Sequence, residues 1–209
     1  MADEKLIQMY ADIHATEKYG NTSIKNARYI RPEIQLLKPK SIIDYGCGQS
    51  SLVDHLNLGY PVDVCRYDPA IPAFSEKPTG VFDLLINVDV LEHIRDHDLD
   101  PIIEEMRALC RNAILIIDTK PAELVLPTGE NAHATIQPIA WWADRLGRHF
   151  PHLVQIRAAR RSRAAFRTWD RSKADDFAFG RMRLQEDARH YGNRVVRAVK
   201  KLVGAKPVA

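Results

Sequence analysis

The sequence predicts an α/β protein: a doubly wound, mostly parallel sheet with N-terminal helices and a C-terminal amphipathic helix. Three observations carry this. Short β-branched apolar runs alternate with segments of helical periodicity. The first run leads straight into a glycine turn, Gly46-Cys47-Gly48. Residues 113–118 are almost wholly apolar, as a central parallel strand buried on both faces requires.

The elements follow in order. Leu6, Ile7, Met9, Tyr10 and Ile13 form a helical stripe that ends at Tyr19 and Gly20. Asn21, Thr22 and Ser23 offer an N-cap for a second helix, which Pro32 breaks or restarts. Residues 41–45 are the first strand, and residues 50–56 carry a cap and helical spacing. Residues 62–67, closed by Asp68 and Pro69, are the second strand, and residues 81–90 the third. Pro101 opens a helix running to about residue 109, before the strand at 113–118. Residues 120–138 form a loop with three prolines and one glycine, and a loop so long in a compact domain is usually functional. Residues 139–150 are helical and carry Trp141 and Trp142. Residues 153–158 and 164–169 read as two last strands joined by an arginine-rich turn. Over residues 180–203, Leu184, Ala188, Tyr191, Val195, Val199 and Leu202 recur at helical spacing, weakened by Gly192. The chain divides into a helical segment (1–40), an α/β domain (41–170) and a basic extension (171–209).

Composition bounds the function. With 209 residues, 45% apolar and 27% charged, the chain has an ordinary soluble composition for one domain and an extension. Its longest apolar runs, at 113–117 and 139–143, are far too short to span a bilayer. The N-terminus lacks a basic segment followed by an apolar one, so no signal peptide is expected. Cys47, Cys65 and Cys110 form no Cys-x-x-Cys pair and read as reduced thiols, which implies a cytoplasmic location. Charge is unevenly spread. Residues 1–154 carry 15 Lys and Arg against 22 Asp and Glu, a net −7; residues 155–209 carry 15 against 5, a net +10. Such a tail suits an anionic partner, or is a solvated basic face.

Gly46 and Gly48 let the backbone turn sharply and approach a ligand. Asp44 ends the strand beside the turn and suits a cationic ligand better than a phosphate. Asp68 follows at the end of the next strand, where a carboxylate can accept both hydrogens of a ribose diol. The third glycine of the dinucleotide pattern and the Gly-Lys-Ser/Thr of a P-loop are both missing.

Asp44-Tyr-Gly-Cys-Gly48, Tyr67-Asp68-Pro69 and the stretch from Phe82 to His93 together resemble the class I S-adenosylmethionine (SAM)-dependent methyltransferases, over about residues 40–170. The third stretch is similar to the Asp-Val-Leu-Glu-His strand of their small-molecule branch. The resemblance implies a Rossmann-like methyltransferase fold with a seven-stranded-type sheet, SAM as cofactor, and residues 1–40 as a lid. It assigns the methionine end of the cofactor to Gly46, Cys47 and Gly48 with Asp44 nearby, and the ribose to Asp68. Asn87, Val88 and Asp89 would pass the sulfonium and the acceptor. The sequence departs from the family between Asp68 and Asp83, which leaves no room for the usual helix and strand. One edge strand is therefore expected to be lacking. Ile71 or Phe74 is a candidate for the adenine contact.

Methyl transfer needs alignment and, for a hydroxyl acceptor, removal of a proton. His133, in the long loop, is one candidate base, with Asp89 beside the acceptor. The alternative is a divalent metal, Mg or Mn, on Asp89, Glu92, His93 and His133. Asp89, Glu92 and His93 share one face if the chain turns helical there, and the string is similar to the Glu-x-x-Glu-His of magnesium-dependent methyltransferases of small-RNA ends. In metal-free relatives Glu92 and His93 play supporting roles. His14 and Tyr19 are lid candidates. Trp141 and Trp142 suit a sugar face, or one sits in the core and one on its rim. The cluster Asp96, His97, Asp98 and Asp100 looks like a metal box but is read as a cap for the helix opening at Pro101, and Cys47 has no partner that would make it a nucleophile.

Three functions follow: O-methylation of a small molecule or sugar, methylation of RNA ribose through the basic tail, or a non-catalytic module. The tail would rest on an anionic membrane surface or on a second subunit, and the oligomeric state stays open.

Overall fold

The computed structural model describes residues 4–16 and 21–203, which fall into two compact units, one ending at Asp170 and one starting at Arg171. The first unit holds the sheet. Its strands are β1 (Ser41–Tyr45), β2 (Asp63–Tyr67), β3 (Phe82–Val88), β4 (Cys110–Ile117), β5 (Val154–Gln155) and β6 (Ala164–Arg167). Its helices are α1 (Glu4–Thr16), α2 (Ala27–Leu37), α3 (Asp96–Ala108) and α4 (Ile139–Gly147); the second unit is α5 (Lys173–Val203). The strand order is β2-β1-β3-β4-β6-β5. The first four strands are parallel; β6 runs antiparallel to β4, and β5 to β6.

Alternation along the strands builds two cores. Ile43, Leu85, Leu115 and Ile117 point to one face, under Leu99, Ile103 and Met106 of α3 and Trp142 of α4. Ile42, Leu84, Ile86, Ile114 and Ile116 point to the other, under Ile30 and Ile34 of α2. The sheet is thus wound on both faces, as its unbroken apolar strands require. Residues 69–81 hold only a short 3-10 turn (Pro72–Phe74), so β2 is an edge and the sheet has six strands.

Several elements differ from expectation for local reasons. Residues 50–56 form one 3-10 turn (Val53–His55), not a helix. Asn57 and Gly59 both have positive φ, which stops propagation before the nucleus is repaid. Pro32 does not break α2, which runs through it. The helix starts at Ala27 after a 3-10 stretch (Asn21–Asn26), and the Asn26 side chain accepts the Ala159 N–H at 2.9 Å instead of capping. α3 begins at Asp96, five residues before Pro101. Arg145 holds its first turn, donating to Asp96 Oδ1 at 2.9 Å and Asp100 Oδ1 at 2.6 Å. β3 stops at Val88 because Asp89 turns left-handed, with φ 59°. β5 is only two residues long. α5 starts at Lys173, earlier than its apolar spacing implied, because Ser172 Oγ accepts the Asp175 N–H while Asp175 accepts from Ser172, a reciprocal cap. Tyr19 and Gly20 lie outside the described residues, as do the side chains of Val199 and Leu202. Among the described residues no helix is long and apolar enough to cross a membrane.

Trp142 is the largest fully buried side chain. Trp142→Ala is expected to cost about 3–5 kcal/mol, read as a lower urea midpoint with an unchanged slope.

Candidate active site

The carboxyl ends of β1, β2 and β3 open into a cavity of 640 Å3, walled on another side by Leu6, Ile7, Tyr10 and His14 of α1. At its floor the chain leaves β1 through the glycine turn. The N–H groups of Gly46 and Cys47 both donate to Tyr67 O, at 2.7 and 3.1 Å, tying the turn to the end of β2. Gly46 has φ 74°, and a Cβ there would stand 2.5 Å from Val90 Cγ2. Glycine is thus required twice, by conformation and by the packing of the β3 exit.

Asp68 faces this turn. Its Oδ2 accepts the Gly48 N–H at 2.8 Å and its Oδ1 the Ala70 N–H at 2.9 Å. Two backbone donors therefore fix the carboxylate and leave further lone pairs on both oxygens. Asp44 is buried, and its Oδ2 has no hydrogen-bond partner. Burial pushes its carboxyl up to about 7, against a partial opposing pull from Arg66. Burial, with Asp44 and Asp68 nearby, pushes the Cys47 thiol up to about 12, so it is no nucleophile at neutral pH. His14 lies against Gly48, with Cε1 3.6 Å from where a Cβ would be, and burial lowers its basicity.

Of the residues expected around a cofactor, Asp44, Gly46, Cys47, Gly48, Asp68 and Val88 line the cavity. Asn87 does not. It is fully buried, and its amide donates to Tyr45 O at 2.8 Å, bracing β3 against β1. Ile71 and Phe74 are not in the wall either; Tyr67, Ala70, Ile94, Pro101 and Ile102 supply its apolar part. Trp142 is core, and Trp141 lies beside the Arg145 guanidinium, 5.4 Å from its ring centre.

Past Val88 the acids and histidines separate into two groups. Asp89 pairs with buried Arg163 at 2.6 Å, and Arg163 also reaches Asp118 at 3.5 Å. This ion triad takes Asp89 away from the other three residues read as possible metal ligands. Those three converge: the ligand atoms of Glu92, His93 and His133 lie within 4.8 Å of one another. Glu92 is fully buried on a one-turn 3-10 helix (Leu91–His93). Its Oε1 accepts the Asp118 N–H at 2.9 Å, and its Oε2 has no partner. Burial and the nearby Asp89 push its carboxyl well above the usual range. His93 Nδ1 lies 2.9 Å from Ala132 O and 2.7 Å from the Tyr10 hydroxyl. A carbonyl can only accept, so Nδ1 carries the proton and Nε2 a lone pair. Burial and His133 lower His93 to about 4, so the ring is neutral at pH 7.

The long loop delivers His133. Thr135 latches it to the 3-10 turn, its N–H donating to Glu92 O at 2.9 Å and its hydroxyl to Ile94 O, just past the turn, at 2.7 Å. The His133 Nδ1 donates to Lys120 O at 2.5 Å, which leaves Nε2 as its lone-pair atom. A second cavity of 360 Å3 lies on this side, walled by Leu6, Met9, Leu126, Asn131, His133 and Ala134. Leu6 and His93 line both cavities.

Tyr10, Asp118 and Arg163 belong to this site and were not singled out from the sequence. Tyr10 sat in an ordinary helical stripe, and Arg163 in a turn rich in arginine. Nothing local marks either one.

With this geometry the family follows. The methyltransferase-domain model matches residues 23–170, and the chain belongs to that family. Human N-acetylserotonin methyltransferase in complex with SAM shares the fold, with a TM-score of 0.53 and 12% identity over 81% of this chain and 56% of that one. PigF with SAH superposes with a TM-score of 0.54 and 14% identity over 78% of this chain and 60% of that one. The chain therefore spans less than two thirds of either protein's length, and at such identity the likeness is one of fold. No curated protein matches the chain.

Two outcomes test the geometry. Gly46→Ala is expected to destabilise by about 1–3 kcal/mol, and Val90→Ala in the same chain to restore part of it by removing the collision but not the strain. Asp44 has a carboxyl raised on folding, so it costs no stability below pH 4 and its full cost above pH 7. Asp44→Asn is therefore expected to match wild type near pH 4 and to exceed it by ~2–4 kcal/mol at pH 7, measured by urea unfolding without ligand.

Proposed function

We propose that the chain transfers the methyl group of SAM to a hydroxyl of a small molecule or sugar. One observation carries the reading: the Asp68 carboxylate, fixed by two backbone N–H groups against the glycine turn, faces a 640 Å3 cavity of the size that small-molecule cofactors occupy. The residues fit SAM in kind. Asp68 keeps lone pairs for a ribose diol, and the orphaned Asp44 oxygen asks for a cationic or N–H-rich neighbour, as the methionine end is. Gly46, Cys47 and Gly48 bring backbone against it, and Val88 lies on the way to the acceptor side.

SAM supplies a methyl group on a positively charged sulfur, ready for in-line displacement. The chain's own part is to hold, orient and exclude water. α1 covers the cavity, which supports residues 1–40 as a lid. The second cavity supports a small acceptor over RNA, since 360 Å3 holds a single compact molecule. An acceptor there meets His93 and His133, whose Nε2 lone pairs can take its proton. Burial has depressed His93, and we assign the base to His133. Asp89 acts here through Arg163, holding the turn, rather than on a proton.

A second reading has its own support: a divalent cation on Glu92, His93 and His133. These residues gather lone pairs at one place: Glu92 Oε2 is buried without a partner, and each imidazole is oriented by a backbone carbonyl. Two nitrogens and one carboxylate suit Mn more than Mg, which prefers oxygen donors. The ion would lower the acceptor's pKa.

Calorimetric titration with SAM and with SAH tests both readings. Wild type is expected to bind each, and Asp68→Ala to bind ~10–100-fold more weakly, as the loss of charge-assisted hydrogen bonds implies. No binding by wild type would turn the chain into a non-catalytic module on this fold. Heat from Mn that disappears in Glu92→Gln establishes the ion; no such heat leaves His133 as the base.

A further inference from the structure

The cofactor reading leaves one end of the 640 Å3 cavity unassigned. Asp44 and Tyr45 are neighbours in β1, so their side chains leave the sheet on opposite faces. Tyr45 belongs to the core on the α3 face, with Tyr67 and Ile102. Asp44, Tyr45 and Asp68 all line the cavity, which therefore reaches both sides of the sheet's carboxyl end. With the ribose on Asp68 and the methionine end on the Asp44 side, the base of the cofactor falls to the α3 side. Ile71 and Phe74 do not line the cavity, so another group must read the base.

The α3 side carries a carboxylate. Glu105 lines the cavity together with Pro101 and Ile102, which share its face of the helix at i−4 and i−3. The Tyr45 hydroxyl donates to Glu105 Oε1 at 2.9 Å, and Lys77 Nζ donates to Oε2 at 2.7 Å. Each oxygen keeps a further lone pair. Lys77 comes from the stretch after β2 that holds only a short 3-10 turn, and it too lines the cavity. Its side chain is 65% exposed, and an ion pair so open to water adds little to stability. What Lys77 and Tyr45 do is fix the carboxylate in the wall.

The chemistry of that wall selects a base. Tyr67, Ala70, Ile94, Pro101 and Ile102 suit the faces of a flat heteroaromatic ring. A carboxylate with lone pairs to spare needs a donor on the ring's edge. Adenine brings one in its 6-amino group. A 6-oxopurine would set a carbonyl oxygen against the carboxylate, acceptor facing acceptor. We infer that Glu105 accepts a hydrogen bond from the 6-amino group of the cofactor's adenine and makes the site selective for adenine over a 6-oxopurine, with Tyr45 and Lys77 as the residues that position it. The inference rests on the reading of this cavity as the SAM site.

Calorimetric titration of the full chain with SAH and with S-inosylhomocysteine, its 6-oxo counterpart, tests it. Wild type is expected to bind SAH ~10–100-fold more tightly. In Glu105→Gln the side-chain amide can turn its NH2 toward a 6-oxo group, so the ratio of the two affinities is expected to fall to about one. Glu105 is half-buried, and an unchanged melting temperature shows that the variant is folded. Lys77→Met lies at an exposed site and leaves the carboxylate in place but less firmly held; it is expected to lower the ratio by less. Asp68→Ala is expected to weaken both ligands alike, because both carry the ribose. Equal binding of the two ligands by wild type overturns the role of Glu105 and leaves the SAM site standing. An equal loss of both ligands in Glu105→Gln also overturns it, since that is what a merely structural carboxylate would do. If wild type binds neither ligand, the cavity is not the SAM site and both readings fall.

Discussion

The carboxyl end of the sheet depends on the missing side chain at Gly46. Three strands finish within a few ångströms of it. Without a Cβ, the turn after β1 donates twice to Tyr67 at the end of β2, while Val90 after β3 packs into the space a methyl would fill. The same turn presents the Gly48 N–H to Asp68. Floor, the Asp68 carboxylate and the approach to Glu92 and His93 are therefore one construction. A methyl group at this position would act on all three, because close-packed groups have no slack to absorb it.

Two carboxylates at this end of the sheet are held in an unfavourable state, Asp44 in the cavity wall and Glu92 buried beside His93. Asp44 and Glu92 each bury an oxygen without a donor. In a core made for stability alone such groups are neutralised or replaced by apolar ones. Here the nearby arginine goes to Asp89 and Asp118, and leaves Glu92 with a backbone N–H. The arrangement keeps Asp44 as an acceptor in the wall of the larger cavity and Glu92 as one beside His93 and His133, which is what cationic or hydrogen-bond-donating ligands require. It also explains why Asp89 and Glu92, three residues apart, carry different roles: the left-handed turn at Asp89 sends one to Arg163 and the other to the histidines.

Much of the fold was legible from local pattern. The β-branched runs marked β1 to β4, and the glycine turn marked the switch from strand to loop. The shortness of the stretch from Asp68 to Asp83 pointed to an edge strand too few, and β2 is the edge. Where the reading missed, a distant partner intervened. Asn21, Thr22 and Ser23 do not cap α2, which begins only at Ala27 beside an Asn26 that accepts from Ala159, and Arg145 starts α3 a turn before Pro101. Asn87 has the right place in the chain for a cofactor contact, but its amide is spent on Tyr45.

The sequence by itself determined the doubly wound sheet, the positions of Gly46, Gly48, Asp44 and Asp68, and the basic amphipathic C-terminal helix. These rest on period, spacing and backbone conformation, which neighbours in the chain dictate. Only the tertiary structure decided that Glu92 and His93 meet His133 while Asp89 meets Arg163, that Tyr10 of α1 reaches His93 after β3, and that Phe177, Leu184, Tyr191 and Val195 of α5 are exposed. Each of these joins residues far apart in the chain or depends on which face packing leaves open. Buried charge finds its partner in three dimensions, and one-dimensional spacing carries no record of that choice.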